Sequence, residues 1–261
     1  MKQFVRFIYE GKKVYGQMTP EGVYTIEGTP FDPGNPVKLV GEVDDLDLCA
    51  PLSPGKIIGV GLNYRDHAEE VGTEVPDEPV IFIKPVNSMI GPGEQIILPP
   101  ESSRVDYEGE LAVVIGETIY RSDPVDARRA IFGYTCANDV TARDLQRKDG
   151  QWTRAKGFDT FCPLGPILNY DVDLGNRRIT TRLNGELRQE STMDAMAFDP
   201  AHLVWFCSQV MTLEPGDVII TGTTSGIGPM DPGDVVEVEI EGFGSLRNPV
   251  AEKDGPPRKT S

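Results

Sequence analysis

The sequence predicts a mostly β fold with some α/β elements, and three observations carry that expectation. Among 261 residues there are 28 glycines and 22 prolines, an excess of turn-formers that suits many short strands better than long helices. Apolar runs of strand length recur between those turns. Two matching turns, Pro215-Gly-Asp-Val218 and Pro232-Gly-Asp-Val235, each launch such a run.

Taken in order, Phe4 to Tyr9 and Lys12 to Met18 read as a hairpin joined at Glu10-Gly11, and Val23 to Glu27 reads as a third strand. No cluster of reactive groups occurs before the turn Pro51-Leu-Ser-Pro-Gly55, so residues 1–51 are expected to form a small N-terminal β-rich domain. Residues 52–250 form the expected catalytic domain, and 251–261, rich in Pro and Lys, are expected to be a flexible tail. Lys56 to Leu62 is a strand running into a loop and a helical turn at Asn63 to Val71. Its Gly59-Val-Gly61 lacks the third glycine and the strand–helix–strand context of a dinucleotide site. Val80 to Lys84 is a strand. Asp123 to Phe132 is a helix with Ser122 or Asp123 as cap and Pro124 in its first turn. A strand ending at Asn138 hands over to a helical turn at Asp139. Arg178 to Leu183 continues the β pattern through the Asn184-Gly185 turn, and Asp199-Pro200 caps a helix through Gln209.

With 41 acidic and 25 basic residues and a net charge of -16, the chain is expected to avoid nucleic acid and anionic membranes. No apolar run is long enough to span a bilayer and the start has no cleavage signal, which points to a cytoplasmic protein. Cys49, Cys136, Cys162 and Cys207 show neither metal spacing nor the density of a disulfide scaffold. They read as reduced core residues.

Chemistry gathers in the remaining stretches. In Tyr107-Glu-Gly-Glu-Leu, strand alternation puts Glu108 and Glu110 on one face. Such a pair is either solvated at an edge or bridged by a hard divalent cation, and Asp139 can complete an oxygen-ligand site. His67 and Glu70 share a helical face, as a general base with its orienting carboxylate or as surface residues at a helix start. Lys84 ends its strand, either snorkelling or holding a carboxylate. Arg143 and Gln146 share a face, and Arg143, Arg147, Arg154 and Lys156 concentrate positive charge in an acidic chain. The small-residue loop Thr221 to Gly228, which includes Gly222 and Thr223, offers backbone amides to a carboxylate but lacks the Gly-Lys-Ser/Thr of a P-loop.

Asn63-Tyr-x-x-His67-x-x-Glu70, Phe82-x-Lys-Pro85, Tyr107-Glu-x-Glu110-Leu, Asn138-Asp-Val-Thr-Ala-Arg-Asp-x-Gln146, Gly150-Gln-Trp-x-Arg-Ala-Lys-Gly-Phe-Asp-Thr-Phe161 and Pro215-Gly-Asp-x-Ile-x-Thr-Gly-Thr223 together resemble the fumarylacetoacetate hydrolase superfamily. The resemblance implies a mixed β-sandwich roll with a small N-terminal domain, usually a homodimer. It implies Mg²⁺ or Mn²⁺ held by Glu108, Glu110 and Asp139, a His67/Glu70 dyad on a lid, and Lys156 beside the metal. It implies substrate contacts from Lys84, Arg143, Gln146, Gly222 and Thr223. The extra N-terminal aspartate ligand of the long fumarylacetoacetate enzymes is missing, which argues against fumarylacetoacetate as substrate.

The expected substrate is a small 2-oxo acid that chelates the metal, with the resulting enolate as the shared intermediate. Cleavage of an acylpyruvate such as acetylpyruvate or fumarylpyruvate is the leading expectation. Oxaloacetate decarboxylation and isomerisation or tautomerisation of a 2-hydroxydienoate are the alternatives, and a non-catalytic metal-binding member is the reading from another class.

Overall fold

The computed structural model describes residues 2–252. Strands β1 (Lys2–Tyr9), β2 (Lys12–Thr19), β3 (Gly22–Ile26) and β4 (Pro36–Gly41) pair antiparallel in succession, the first two through the expected Glu10-Gly11 turn, and β5 (Leu48–Cys49) pairs with β1. They enclose a small core of Val5, Phe7 and Val23 with Ile167. Next come β6 (Ile57–Gly61), helix α1 (Arg65–Glu70), β7 (Val80–Lys84), β8 (Met89–Ile90) and β9 (Ile96–Leu98). The central segment holds β10 (Val105–Tyr107), β11 (Gly109–Ile115), α2 (Pro124–Arg129), β12 (Ile131–Asn138), β13 (Thr141–Ala142), α3 (Arg143–Asp149), α4 (Thr153–Lys156) and β14 (Cys162–Tyr170). The chain closes with β15 (Arg178–Leu183), β16 (Glu186–Thr192), α5 (Pro200–Val210), β17 (Val218–Thr223), β18 (Gly228–Pro229), β19 (Val235–Ile240) and β20 (Gly244–Glu252).

A 12-stranded sheet runs β4-β3-β2-β1-β14-β12-β11-β17-β6-β7, with β5 and β8 attached at β1 and β14. A five-stranded sheet, β16-β15-β19-β20-β9, packs against it, and a short sheet β13-β10-β18 sits beside both. Strand β11 explains the layering. Every residue from Gly109 to Ile115 is buried, as expected of a strand covered on both faces. Ala112 and Val114 join the core with Phe4, Leu164 and Ile220. On the opposite face Val113 and Ile115 meet Leu203, Val204 and Cys207 of α5, while Leu111 packs with Ile179, Val238 and Phe243 of the second sheet. This is the mixed β-sandwich roll.

Packing and hydrogen bonding both run across the expected boundary near residue 51: Phe4 and Ile26 share a core with Leu52, Ala112 and Leu164, and Lys2↔Tyr170, Gln3↔Asn169 and Phe4↔Leu168 stitch β1 to β14. The helical turn expected at Asp139 begins only at Arg143, since Thr141 and Ala142 first pair with Asp106 and Val105. The helix expected over Asp123 to Phe132 stops at Arg129, and Asp123 caps its start by accepting from the amides of Val125 (2.8 Å) and Asp126 (2.9 Å). Of the expected tail, residues 251 and 252 end β20 and the rest lies outside the described residues. Among the described residues, no helix is long and apolar enough to cross a membrane.

Gly109 shows how tightly the sheets meet. A Cβ there would lie 2.0 Å from Thr181 Oγ1 and 3.3 Å from Gln189 Oε1. Thr181 is fully buried and branched at Cβ, so it has nowhere to turn. Gly109→Ala is therefore expected to cost about 1–3 kcal/mol through overpacking, read as a lowered urea midpoint; an unchanged midpoint contradicts this packing.

Candidate active site

The sequence places Glu108 and Glu110 two apart, and the fold sets Glu108 in the short break between β10 and β11 with Glu110 just inside β11. Asn138, at the end of β12, accepts the Glu108 amide on Oδ1 at 2.9 Å, and the Asp139 amide donates to the Glu108 carbonyl at 2.8 Å. These bonds bring Asp139 alongside. Carboxylate oxygens of Glu108, Glu110 and Asp139 lie within 4.8 Å of one another, all buried. The two readings open for the pair thereby narrow, because these acids are not solvated at an edge.

Three cations surround the triad. Lys156 Nζ donates to Glu108 Oε2 (3.0 Å), to Thr141 Oγ1 (2.9 Å) and to the Asp139 carboxylate. Its ammonium lies 5.0 Å from the Phe82 ring centre and 6.0 Å from that of Trp152. Lys84, fully buried, donates to Asp139 Oδ1 at 2.6 Å. The resemblance makes Lys84 a substrate contact; here it fixes a triad member. Arg143 donates from Nε to Asp106 Oδ2 (2.9 Å), from Nη1 to Gln146 Oε1 (2.6 Å) and from Nη2 to Glu108, which bears out the shared helical face of Arg143 and Gln146.

Electrostatics separates the two glutamates. Burial opposes the charge of Glu108, but Lys156 and Arg143 outweigh it and hold the carboxyl well below its usual range. Among the described residues no cation pairs with Glu110: burial, then the charges of Asp139 and Glu108, outweigh Lys156 and the Gly222 amide and push it well above the usual range. Burial also works against Lys156, yet Asp139 and Glu108 raise it. A cluster of carboxylates in which one retains its proton for want of positive charge is the donor chemistry of a hard divalent cation site.

The triad opens onto a cavity of about 510 Å³ whose wall includes His67, Glu70, Gln146 and Thr223. His67 Nδ1 lies 3.1 Å from Glu70 Oε2, so the dyad expected from spacing forms on α1. The other loop residues have partners of their own. The Gly222 amide donates to Glu110 Oε2 (2.7 Å), and its φ of +95° belongs to the left-handed region. Thr223 Oγ1 donates to Gly109 O (2.9 Å) and accepts from Gln189 Nε2 (2.8 Å). Gly222 and Thr223 thus brace β11 beneath the cavity.

Helix α1 has only six residues, too few to hold its shape alone. Asp66 latches it: Oδ2 accepts from Ser225 Oγ (2.9 Å) and the Ser225 amide (3.3 Å), and also from Thr224 Oγ1 (2.5 Å). Glu70 Oε1 accepts from the Gly226 amide at 2.9 Å. Asn63 anchors the entry, donating to Phe198 O (3.0 Å) and Thr221 O (2.7 Å). Asp66, Asp106, Asn138 and Gln189 are absent from the sequence-based site. Asp106 lies in step with Glu108 and Glu110 along one strand face and was open to the same alternation argument. Gln189, on β16, carries no local signal.

Two predictions follow from this geometry. Because Glu110 holds its proton above the ordinary carboxylate range of about 4.3, the metal-free protein loses stability as pH rises through its folded value. A divalent ion must displace that proton, so Mn²⁺ uptake is expected to release a proton and to tighten with rising pH. Calorimetry in buffers of different ionisation enthalpy reads the release; Glu110→Gln should abolish it, and buffer-independent heats in the unaltered protein contradict it. For the latch, Asp66→Ala should speed amide exchange across residues 65–72 while leaving 109–115 protected; unchanged exchange means α1 is held by other contacts.

Comparison with known proteins places this site in a family. Residues 56–251 match the family described as fumarylacetoacetate (FAA) hydrolase C-terminal. A protein of Archaeoglobus fulgidus is 51% identical over 251 residues, 95% of this chain and 96% of that one. The mitochondrial oxaloacetate tautomerase FAHD2B of Bos taurus is 44% identical over 219 residues, covering 79% of this chain and 70% of that protein. The crystal structure of 5-carboxymethyl-2-hydroxymuconate delta-isomerase from Mycobacterium smegmatis superposes with a TM-score of 0.87 at 43% identity, over 96% of this chain and all of the other. With fold, motif order and sequence in agreement, this chain belongs to the fumarylacetoacetate hydrolase family.

Proposed function

We propose that this chain is a divalent-metal-dependent tautomerase or isomerase of small 2-oxo acids, moving a proton between C3 and the 2-oxygen of an oxaloacetate-type substrate or along a 2-hydroxydienoate. The observation that carries this reading is the His67/Glu70 pair lining the same cavity as the buried triad, a proton carrier facing an electron sink. The oxaloacetate tautomerase and delta-isomerase among its relatives support it, since neither named reaction breaks a carbon–carbon bond.

Glu108, Glu110 and Asp139 would hold Mg²⁺ or Mn²⁺, hard ions that prefer carboxylate oxygen. When bound, the ion supplies Lewis-acid stabilisation of negative charge on the substrate oxygens. Lys156, pinned at 3.0 Å from Glu108 and 2.9 Å from Thr141, adds a fixed positive charge for the same oxygens without reorganising. Arg143 and Gln146 orient the head carboxylate, and Lys84 keeps Asp139 aimed. Glu70 occupies Nδ1 of His67, leaving Nε2 to take the proton from C3 and return it to the enol oxygen, or to a more distant carbon in a dienoate. No atom leaves the substrate. The latched α1 keeps bulk water from quenching the enolate.

Acylpyruvate hydrolysis is kept as the second reading, because the same His67 Nε2 can deprotonate a water when the substrate carries a ketone at its far end. The deciding assay follows the ultraviolet absorbance of enol-oxaloacetate, with acetylpyruvate cleavage and carbon dioxide release measured in parallel under Mg²⁺ or Mn²⁺. Accelerated enol decay without carbon dioxide is expected, falling about 10²–10⁴-fold in His67→Ala and to background in Glu108→Ala. Fast acetylpyruvate cleavage with no effect on enol decay makes the enzyme a hydrolase instead. No metal-dependent turnover in any assay points to a non-catalytic member.

A further inference from the structure

One cation on the cavity wall has no partner. Arg147 is exposed, and among the described residues its guanidinium makes no hydrogen bond or ion pair. It follows Arg143 by one helical turn on α3, so the two share a face about 6 Å apart along the axis. Arg143 is buried against Glu108, which makes Arg147 the solvent end of the same wall.

Arg104 stands on that wall too, its Nε and Nη2 donating to the two oxygens of Asp106 at 2.8 and 3.2 Å. Asp106 also takes Arg143 Nε at 2.9 Å, so one carboxylate serves two guanidiniums. Glu70, the carboxylate of that wall outside the triad, is engaged by His67 and the Gly226 amide, so among the described residues Arg147 has no acid of its own. Deeper in, the three carboxyl groups of the triad stand among three cations, Lys84, Lys156 and Arg143, which pair with Asp139 and Glu108. A divalent ion tips that set positive, and a single substrate carboxylate only partly neutralises it.

We propose that Arg147, with Arg104 beside it, is an anion subsite that receives the distal carboxylate of the substrate, so that the site selects 2-oxo dicarboxylates and their enols over 2-oxo monocarboxylates. The planar guanidinium fork matches a carboxylate in two-point contact. Its place one turn outward from Arg143 suits a diacid whose 2-oxo head lies at the triad. The inference rests on the 2-oxo acid reading for the position of that head.

The test is calorimetric titration of the Mg²⁺-loaded protein with a matched pair of ligands, 2-oxoglutarate and 2-oxopentanoate, which differ at the far end by a carboxylate against a methyl. The diacid is expected to bind at least about tenfold more tightly, as for one charge-assisted contact at a partly exposed site, with the preference shrinking as salt is added. Arg147→Ala should erase that preference while leaving 2-oxopentanoate within about twofold, and Arg147→Lys should restore part of it by keeping the charge without the fork. Equal affinities in the unaltered protein, no binding of either ligand, or equal losses for both in Arg147→Ala overturn the proposal. Neither ligand has to react, so failure of the proton-transfer reading registers separately, as unaltered enol decay with ligand selectivity intact.

Discussion

Three carboxylates crowded within 4.8 Å in a buried pocket are the constraint on which the rest of the structure depends. Left alone they would repel and take up protons, and the Glu110 carboxyl is pushed well above its usual range in that direction. The neighbourhood is arranged to prevent the others from following. Lys84 lies under Asp139, Lys156 spans Asp139 and Glu108, and Arg143 closes over Glu108. Breaking any of these pairs strands a buried charge, a far larger penalty than the loss of a surface ion pair. The β scaffold serves the same end: Asn138 and Gly222 bond Glu108 and Glu110 from the two strands flanking β11, and Gly109 is small because Thr181 comes within reach of where its Cβ would be.

The site therefore has one half built on buried strands and one built on a short, latched helix. The triad and its cations belong to strands buried on both faces. His67 and Glu70 belong to a six-residue helix held by Asp66, Glu70 and Asn63 against a loop of small residues. In the proposed reaction the strand-borne half would supply the electron sink and the helix-borne half the proton carrier.

Much of this was legible in the sequence where the signal is local. Glu108 and Glu110 share a strand face, His67 and Glu70 a helix turn, and Arg143 and Gln146 another, and each pair meets in space as its period requires. Asp123 and Asp199 cap the helices they precede. Partnerships set by sheet order were beyond reach. Lys84 finds Asp139 fifty-five residues on only because β7 comes to the end of β12, and Gln189 reaches Gly109 and Thr223 from the facing sheet. The strand-end position of Lys84 leaves a snorkelling or a carboxylate-holding role open, and the fold supplies the carboxylate, Asp139. The late start of α3 has a similar origin, because strand pairing at Thr141 and Ala142 takes precedence over helical propensity.

A divalent ion at the triad, compensated by its ammonium and guanidinium neighbours, should be visible by anomalous scattering from crystals soaked in Mn²⁺. One strong peak ligated by Glu108, Glu110 and Asp139, with Lys156 retained beside it, is expected; a triad that stays free of manganese at saturating concentration, with the lysines still holding its carboxylates, rules the cation site out.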